Sequence, residues 1–156
     1  TGATGFLGAR VLFDLLSIND EARFLCLVRA ADNDTAYLRI EQAVKHHGLR
    51  LSNSMKARIS PIIGDITAPN LGISDQDRQD IVKHATQIIH SAAEVNMVKS
   101  FDDLRRVNFD PVFDIMRLSI EGNIQRIHNI STLSVFVSSS SNKGRVFEHT
   151  SHMGDS

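Results

Sequence analysis

The sequence has little of what a disulfide-stabilised or strongly charged protein needs. Its 156 residues include one cysteine, one tyrosine and no tryptophan, so no disulfide can form within the chain. The cysteine, Cys26, lies inside the apolar run of residues 24–28, where we expect a buried structural thiol rather than a reactive one. The formal net charge is −1 with acids and bases interspersed, so we expect no nucleic-acid partner.

Long apolar runs are also missing. None approaches the roughly 20 residues that span a bilayer, and the first residues lack a charged segment followed by an apolar signal core. We therefore expect no membrane span and a cytoplasmic location, and no histidine pair has the third ligand that a metal site would need. Apolar residues make up 42% of the chain and charged residues 22%, which is enough apolar material for the core of one globular domain.

Short apolar runs alternate along the chain with segments of helical periodicity. Strands are predicted at residues 23–28, 59–63, 87–90 and 126–130. Helices are predicted at residues 5–18, 35–47, 75–84 and 100–121, the last interrupted near Pro111. This alternation is typical of strand–helix–strand units, so the predicted fold class is α/β with a doubly wound parallel sheet.

The opening segment, Thr1-Gly2-Ala3-Thr4-Gly5-Phe6-Leu7-Gly8, places three glycines three residues apart before an amphipathic helix. In this spacing Gly2 can make a tight turn, Gly5 lets the backbone approach a pyrophosphate, and Gly8 lets helix and strand pack closely. The helix amides then face the phosphates with their partial positive charge. Together with the α/β alternation, the loop predicts a Rossmann-type nucleotide-binding fold.

Both ends of this fold are expected to be incomplete. Thr1-Gly2 resembles the turn after a first strand, and that strand lies centrally in a doubly wound sheet. We therefore expect it to lie upstream, and the sheet without it to have two open edges. Residues 1–137 are predicted to form the cofactor-binding domain. The serine-rich residues 138–156 are predicted to form a flexible loop leading to an absent C-terminal catalytic and substrate-binding part.

Arg29 determines the expected cofactor. It follows the second predicted strand directly, where an acidic residue would accept the ribose hydroxyls of NAD and an arginine accommodates the 2′-phosphate of NADP. The guanidinium offers a planar fork of donors suited to a phosphate. NADP(H) is therefore the predicted cofactor, and a solvated surface arginine is the alternative.

Six motifs together resemble one family, the thioester reductase domains that terminate nonribosomal peptide and polyketide assembly lines and carboxylic acid reductases. Fatty acyl-CoA reductases are similar, and all belong to the extended short-chain dehydrogenase type. The resemblance runs from Thr1 to about Val137. The motifs, in order, are Thr1 to Gly8, Leu27-Val28-Arg29-Ala30, Gly64-Asp65-Ile66, His90-Ser91-Ala92-Ala93, Val107-Asn108 and Ile130-Ser131-Thr132-Leu133-Ser134-Val135.

The resemblance implies a role for each matching position. Thr132 corresponds to the Ser/Thr member of the catalytic Thr-Tyr-Lys set, whose hydroxyl would hold the substrate carbonyl oxygen. Asp65 and Ile66 would lie along the adenine. Asn108 is expected to anchor a water or a backbone carbonyl near the active site, with a simple helix-surface role as the alternative. Residues implied in cofactor binding are Gly2, Thr4, Gly5, Phe6, Leu7, Gly8, Arg29, Asp65, Ile66, Ser91, Ala92, Ala93 and Asn108.

Two departures from the family pattern stand out. Asp110-Pro111 follows Asn108 where the family continues with a small residue and Gly-Thr, so the helix geometry there is in question. The catalytic Tyr-x-x-x-Lys pair is not in the chain, since the only tyrosine is Tyr37 in the second predicted helix, where a structural role is expected. The fragment by itself is therefore expected to bind cofactor weakly and to turn nothing over.

The resemblance implies NADPH-dependent reduction of an acyl thioester, on a carrier protein or coenzyme A, to an aldehyde or alcohol. Other domains of one multidomain chain are further implied partners. Two alternatives remain open. One is a nucleotide-sugar epimerase or dehydratase, which shares the glycine loop and the Ser/Thr position. The other is a non-catalytic NADP-binding sensor or scaffold module, which the absence of a downstream Tyr-x-x-x-Lys would support.

Overall fold

The computed structural model of the protein describes residues 1–132 and shows an α/β fold with parallel strands. Helices and strands alternate as the sequence predicts. The strands are β1 (Phe24–Val28), β2 (Ile59–Ile63), β3 (Gln87–His90) and β4 (Arg126–Asn129). The helices are α1 (Phe6–Ile18), α2 (Asn33–Lys45), α3 (Asn53–Lys56), α4 (Asp75–His84), α5 (Phe101–Asn108) and α6 (Asp110–Glu121).

The four strands form two separate parallel ladders. β1 pairs with β2, so that Phe24 lies opposite Ile59 and Val28 opposite Ile63. β3 pairs with β4. β1 and β3 do not pair with each other, so the four described strands form two ladders and not one continuous sheet.

A cleft of about 830 Å³ lies between the two ladders. Its walls are mostly apolar and include Leu25 and Leu27 of β1 and Ile89 of β3, with residues of α1, α4 and α6 closing it. Thr1 borders the cleft and bonds to β3: its backbone nitrogen donates to the Ile89 carbonyl at 2.7 Å, and the Ser91 amide donates to the Thr1 carbonyl at 3.3 Å. The backbone of Thr1 thus lies beside the end of β3 and is hydrogen-bonded to it on both its N–H and its carbonyl side.

Three apolar clusters hold the helices against the strands. The largest joins α1, β1, α2 and β2 through fully buried side chains such as Leu16 and Ile40. A second packs α1 on the end of α2 through Ala9 and Val44. The third joins α6 to the loop after β2 through Ile115, Leu118 and Leu71. Cys26 belongs to the first cluster and is buried, as predicted. Burial raises the pKa of its thiol to about 11, which disfavours the reactive thiolate.

The long helical stretch divides at Phe109. α5 ends at Asn108 and α6 begins at Asp110, close to the interruption predicted near Pro111. Pro111 is buried in the first turn of α6, where its missing N–H costs no hydrogen bond. The Asp110-Pro111 departure therefore breaks one helix into two without leaving an unsatisfied donor. In residues 1–132, none of these helices has the length and apolar character needed to cross a membrane.

Tyr37 is expected to matter for stability and not for chemistry. Its hydroxyl donates to the Ile59 carbonyl and lies 3.3 Å from the Lys56 carbonyl, so it ties α2 to the start of β2. Replacing Tyr37 with Phe should lower the free energy of unfolding by about 1 to 2 kcal/mol and leave cofactor affinity unchanged. Urea unfolding and a cofactor titration of the same variant check both parts; a loss of affinity with unchanged stability would contradict the structural role.

Candidate nucleotide-binding site

The glycine loop is folded against the end of β3. The Gly5 amide donates to the Gly2 carbonyl at 2.9 Å, which closes the turn, and Gly2 has a φ of +78° that favours glycine. A Cβ on Gly2 would lie 2.6 Å from Ser91 Oγ and from the Ala92 amide nitrogen. A Cβ on Gly8 would lie 2.1 Å from the Gly2 carbonyl oxygen. These two glycines therefore permit loop, helix and strand to pack closely, as the spacing predicts.

Gly5 differs from the other two because the protein does not crowd it. A Cβ there would meet only the Gly2 carbonyl oxygen, at 3.2 Å, and the residue is exposed. Gly5 is the N-cap of α1, and no side chain caps this helix. The open backbone at Gly5 is the feature that would admit a phosphate, because no side chain competes for the first-turn amides.

Most other helices satisfy a first-turn amide with a side-chain cap. The Asp32 side chain accepts from the Thr35 amide at the start of α2. Ser74 and Ser100 do the same for α4 and α5. α6 has no side-chain cap but carries proline in its first turn. α1 alone among these combines a glycine N-cap with a first turn that is neither capped nor started by proline.

Arg29 and Asp65 stand together at the ends of β1 and β2. Nη1 of Arg29 lies 3.9 Å from Oδ2 of Asp65, and the Arg29 side chain is 69% exposed, so the ion pair is loose and contributes little to stability. The Asp65 carboxylate accepts from the amide and hydroxyl of Thr67 at 2.9 and 2.8 Å. The hydrogen bond from that amide, and beyond it the charge of Arg29, lowers the pKa of Asp65. Ile66 is half-buried beside it.

His90 and Ser91 fasten the end of β3 to the start of the chain. The Ser91 hydroxyl donates to the Thr1 carbonyl at 3.1 Å, and the Thr1 hydroxyl shares a hydrogen bond of 2.6 Å with Nδ1 of His90. His90 is only 4% exposed. Burial lowers its pKa to about 4, so the imidazole is neutral at pH 7. Ala92 is half-buried and Ala93 is exposed beyond it.

Asn108 is engaged with the backbone of the loop after β3. Its Oδ1 accepts from the Glu94 amide at 2.8 Å, and its Nδ2 donates to the Glu94 carbonyl at 3.0 Å. Both ends of the side-chain amide are thus used to hold one residue of this loop. The sequence implied a place near the active site for Asn108; the structure gives it a positioning contact, and direct contact with cofactor stays a prediction.

Thr132 lies at the same edge as the ends of β3 and β4. The Ile130 amide donates to the His90 carbonyl at 2.8 Å, which carries the chain from β4 past the end of β3. Thr132 follows two residues later and is exposed. The remaining motif residues from Leu133 onward, the rest of the domain predicted to reach residue 137, and the loop predicted at residues 138–156 lie outside the described residues.

Sequence reasoning missed two neighbours of the loop. Nε2 of His47 lies 2.7 Å from the Phe6 carbonyl oxygen, and the His47 and Phe6 rings are in contact, with centroids 4.6 Å apart and planes tilted by 42°. His90 was quoted only as part of a motif. The end of α2 therefore borders the start of α1, which helical periodicity alone does not reveal. Across residues 1–132, no group of three or more His, Cys, Asp or Glu side chains could hold a metal ion.

The fold and the loop define an NAD(P)-binding α/β domain. The family model NAD_binding_4, described as "Male sterility protein", matches residues 1–155, and the chain belongs to this family. Probable polyketide synthase 6 of Dictyostelium discoideum is 36% identical over 148 residues, which cover 92% of this chain and 5% of that protein.

Two solved structures extend the likeness to three dimensions. The terminal R domain from the myxalamid PKS-NRPS biosynthetic pathway has a TM-score of 0.80 at 34% identity, covering 86% of this chain and 34% of that one. A thiolation-reductase di-domain from an archaeal non-ribosomal peptide synthetase has a TM-score of 0.73 at 29% identity, covering 89% of this chain and 36% of that one. The chain therefore spans about a third of the reductase structures that it matches.

Gly5 and Gly8 should respond differently to alanine. Gly5→Ala places a Cβ 3.2 Å from the Gly2 carbonyl oxygen, a single tight contact, at a backbone conformation that alanine adopts (φ −84°, ψ 166°), so stability should fall by only about 1 kcal/mol. Cofactor affinity should fall about tenfold or more, because the methyl group occupies the approach to the helix amides. Gly8→Ala should instead cost about 3 kcal/mol of stability. Thermal unfolding and cofactor titration separate the two; equal losses of stability would contradict the assignment.

His90 should make the protein acid-sensitive. Since its pKa of about 4 in the folded state lies below the unfolded value near 6.5, its contribution to stability is complete above pH 6.5 and is lost as pH falls towards 4. Between pH 7 and pH 5 this loss should be roughly 1 to 2 kcal/mol. Replacing His90 with Asn keeps a polar partner for Thr1 and removes the titration. The stability gap between wild type and variant should shrink on acidification; a gap independent of pH would refute it.

Proposed function

We propose that this chain holds NADP(H) for the reduction of an acyl thioester. The observation that carries the proposal is the uncapped first turn of α1, with glycine at its N-cap, in a chain that belongs to an NAD-binding family. Its likeness to terminal reductase domains of peptide and polyketide synthases supports thioester reduction over nucleotide-sugar chemistry.

The residues present suit a dinucleotide laid across the strand ends. The amides of Phe6, Leu7 and Gly8 would receive the pyrophosphate. Arg29 would bind the 2′-phosphate, which favours NADP over NAD, and Asp65 with Ile66 would border the adenine. The nicotinamide ribose would lie towards the segment formed by Ser91, Ala92 and Ala93. Thr4 would support the turn of the loop.

The cofactor would supply hydride to the thioester carbonyl carbon. With one proton and loss of the thiol, this gives an aldehyde, and a second reduction gives an alcohol. Thr132 would donate a hydrogen bond to the carbonyl oxygen as negative charge develops there. Asn108 would hold the loop at Glu94 beside this region. A tyrosine from the polypeptide after Ser156 would take part in the proton transfer, and a lysine from the same part would lower the pKa of that tyrosine.

The complete polypeptide would supply the parts that this chain lacks. The apolar cleft between β1 and β3 supports a strand preceding Thr1 as its occupant, since Thr1 already bonds to β3. Residues 1–137 would then form the cofactor domain, and the segment that follows would lead to the substrate-binding part. The partners would be an acyl thioester on a carrier protein or coenzyme A and other domains of one chain. A cytoplasmic location remains a prediction.

The direct test is reduction of an acyl-coenzyme A and of an acyl-pantetheine thioester by the complete polypeptide that carries this chain. We expect NADPH to be consumed in preference to NADH, with one thiol released per aldehyde formed. Arg29→Ala should remove most of the preference, because the guanidinium then no longer meets the 2′-phosphate. Absorbance at the reduced-nicotinamide band measures consumption of the cofactor, and a thiol assay measures the released thiol.

Thr132 provides the matched pair of variants for the same assay. Thr132→Val should lower kcat about a hundredfold, as loss of one oxyanion donor does, whereas Thr132→Ser should keep most activity. Cofactor binding without turnover of any thioester, despite a downstream Tyr-x-x-x-Lys, would contradict the proposal and leave the sensor or scaffold alternative.

A further inference from the structure

A histidine that follows α2 is bonded to the first residue of α1. Nε2 of His47 lies 2.7 Å from the carbonyl oxygen of Phe6. Because a carbonyl oxygen only accepts hydrogen bonds, Nε2 carries a proton and donates it. The bond joins residues 41 positions apart in the sequence. It is therefore a tertiary contact on the helix turn to which the proposed function assigns the pyrophosphate.

The packing of α2 on α1 fixes the position of His47. Val44, in the last turn of α2, is buried with Ala9 of α1 in the second apolar cluster. The His47 amide donates to the Val44 carbonyl at 3.1 Å, and Gly48 ends the turn with a φ of +71°, which favours glycine. The imidazole is half-buried and in contact with the ring of Phe6. The core thus determines where the Nε2 proton is directed.

The Phe6 carbonyl belongs to the same peptide group as the Leu7 amide. A peptide group is planar and trans, so its C=O and N–H point in opposite directions. In the first turn of a helix, this N–H points out of the helix end and has no intrahelical partner. Since no side chain caps α1, the Leu7 amide faces the place where a pyrophosphate oxygen would lie.

A hydrogen bond at one end of a peptide group strengthens donation at the other end. Donation to the carbonyl draws electron density towards its oxygen and leaves the N–H more positive, and successive hydrogen bonds polarise one another in this way. The effect is greatest when the final acceptor is an anion, because charge-assisted hydrogen bonds are the strong ones. The bond from His47 also holds this peptide group in place before a ligand arrives, which reduces the cost of ordering it.

We propose that His47 is a positioning residue for the pyrophosphate of the cofactor, acting through the Phe6–Leu7 peptide group without touching the cofactor. The inference rests on the proposed function, which assigns the pyrophosphate to the first-turn amides of α1 and gives His47 no role. The adjacent His46 offers a contrast, because it is exposed and serves as the C-cap of α2 through its backbone.

The experiment uses the complete polypeptide that carries this chain and two probes, 2′-phospho-ADP-ribose and adenosine 2′-monophosphate, with binding measured by calorimetry. Both probes contain the adenosine and the 2′-phosphate, and only the first contains the diphosphate. His47→Ala removes the donor, whereas His47→Gln keeps a side-chain N–H donor. His46→Ala is the matched control, because it removes the same side chain one residue earlier.

His47→Ala should weaken 2′-phospho-ADP-ribose about fivefold to tenfold, as loss of one hydrogen bond does, and adenosine 2′-monophosphate less than about twofold. His47→Gln should restore most of the affinity, and His46→Ala should change neither probe. In the thioester assay, His47→Ala should raise the KM for NADPH by a similar factor and change kcat little, because the bond acts on binding and not on hydride transfer. Thermal unfolding of each variant checks that the fold is kept.

Three results would overturn the proposal while the proposed cofactor keeps its place. They are wild-type affinity of His47→Ala for 2′-phospho-ADP-ribose, an equal loss for both probes, and a folded His47→Gln that binds as weakly as His47→Ala. Failure of the proposed function is seen separately. If the wild type binds both probes equally, the diphosphate is not held at α1, and the role of His47 is rejected with that site.

Discussion

The arrangement of the site depends on one unsatisfied set of donors, the amides in the first turn of α1. A helix start leaves such groups without intrahelical partners, and this sequence elsewhere satisfies them with aspartate or serine caps. At α1 the cap is Gly5, which offers no side chain. The omission keeps the partial positive charge of the helix end available to an anion, and the surrounding loop is shaped to preserve that access.

The remaining glycines serve this exposed turn indirectly. Gly2 and Gly8 admit no Cβ because the loop is pressed against the end of β3, with Ser91 bonded to the carbonyl of Thr1. The end of β3 is in turn fixed by the buried His90, and the loop beyond it by Asn108. Gly2 and Gly8 therefore face the packing contacts with β3, whereas Gly5 faces the exposed start of α1. The three glycines thus have different structural roles.

Much of the fold follows from the sequence because its signals are local. Apolar periodicity predicts α1 to within a residue, and the possible cap at Ser74 or Asp75 predicts the start of α4 because such a side chain can cap only a nearby amide. The family resemblance was confirmed, as was the parallel α/β class. α3, a single turn at Asn53–Lys56, was not predicted, because four residues are too few to show a period.

The missed features depend on tertiary placement. Nothing in the spacing of His47 and Phe6 indicates that the end of α2 borders the start of α1. Arg39 of α2 likewise donates a hydrogen bond to the Arg29 carbonyl, a contact that depends on where core packing places α2. Asn108 was associated with the site through the resemblance. The residue that its side chain bonds, Glu94, is identified only when α5 and the loop after β3 are placed together.

The most direct measurement is a crystal structure of the complete polypeptide with NADP⁺ bound. If the uncapped helix turn is the anchor, pyrophosphate oxygens will lie about 2.7 to 3.2 Å from amide nitrogens among Phe6, Leu7 and Gly8, with no side chain between them. A pyrophosphate held elsewhere, or the first turn of α1 covered by another part of the polypeptide while cofactor is bound, would contradict the account.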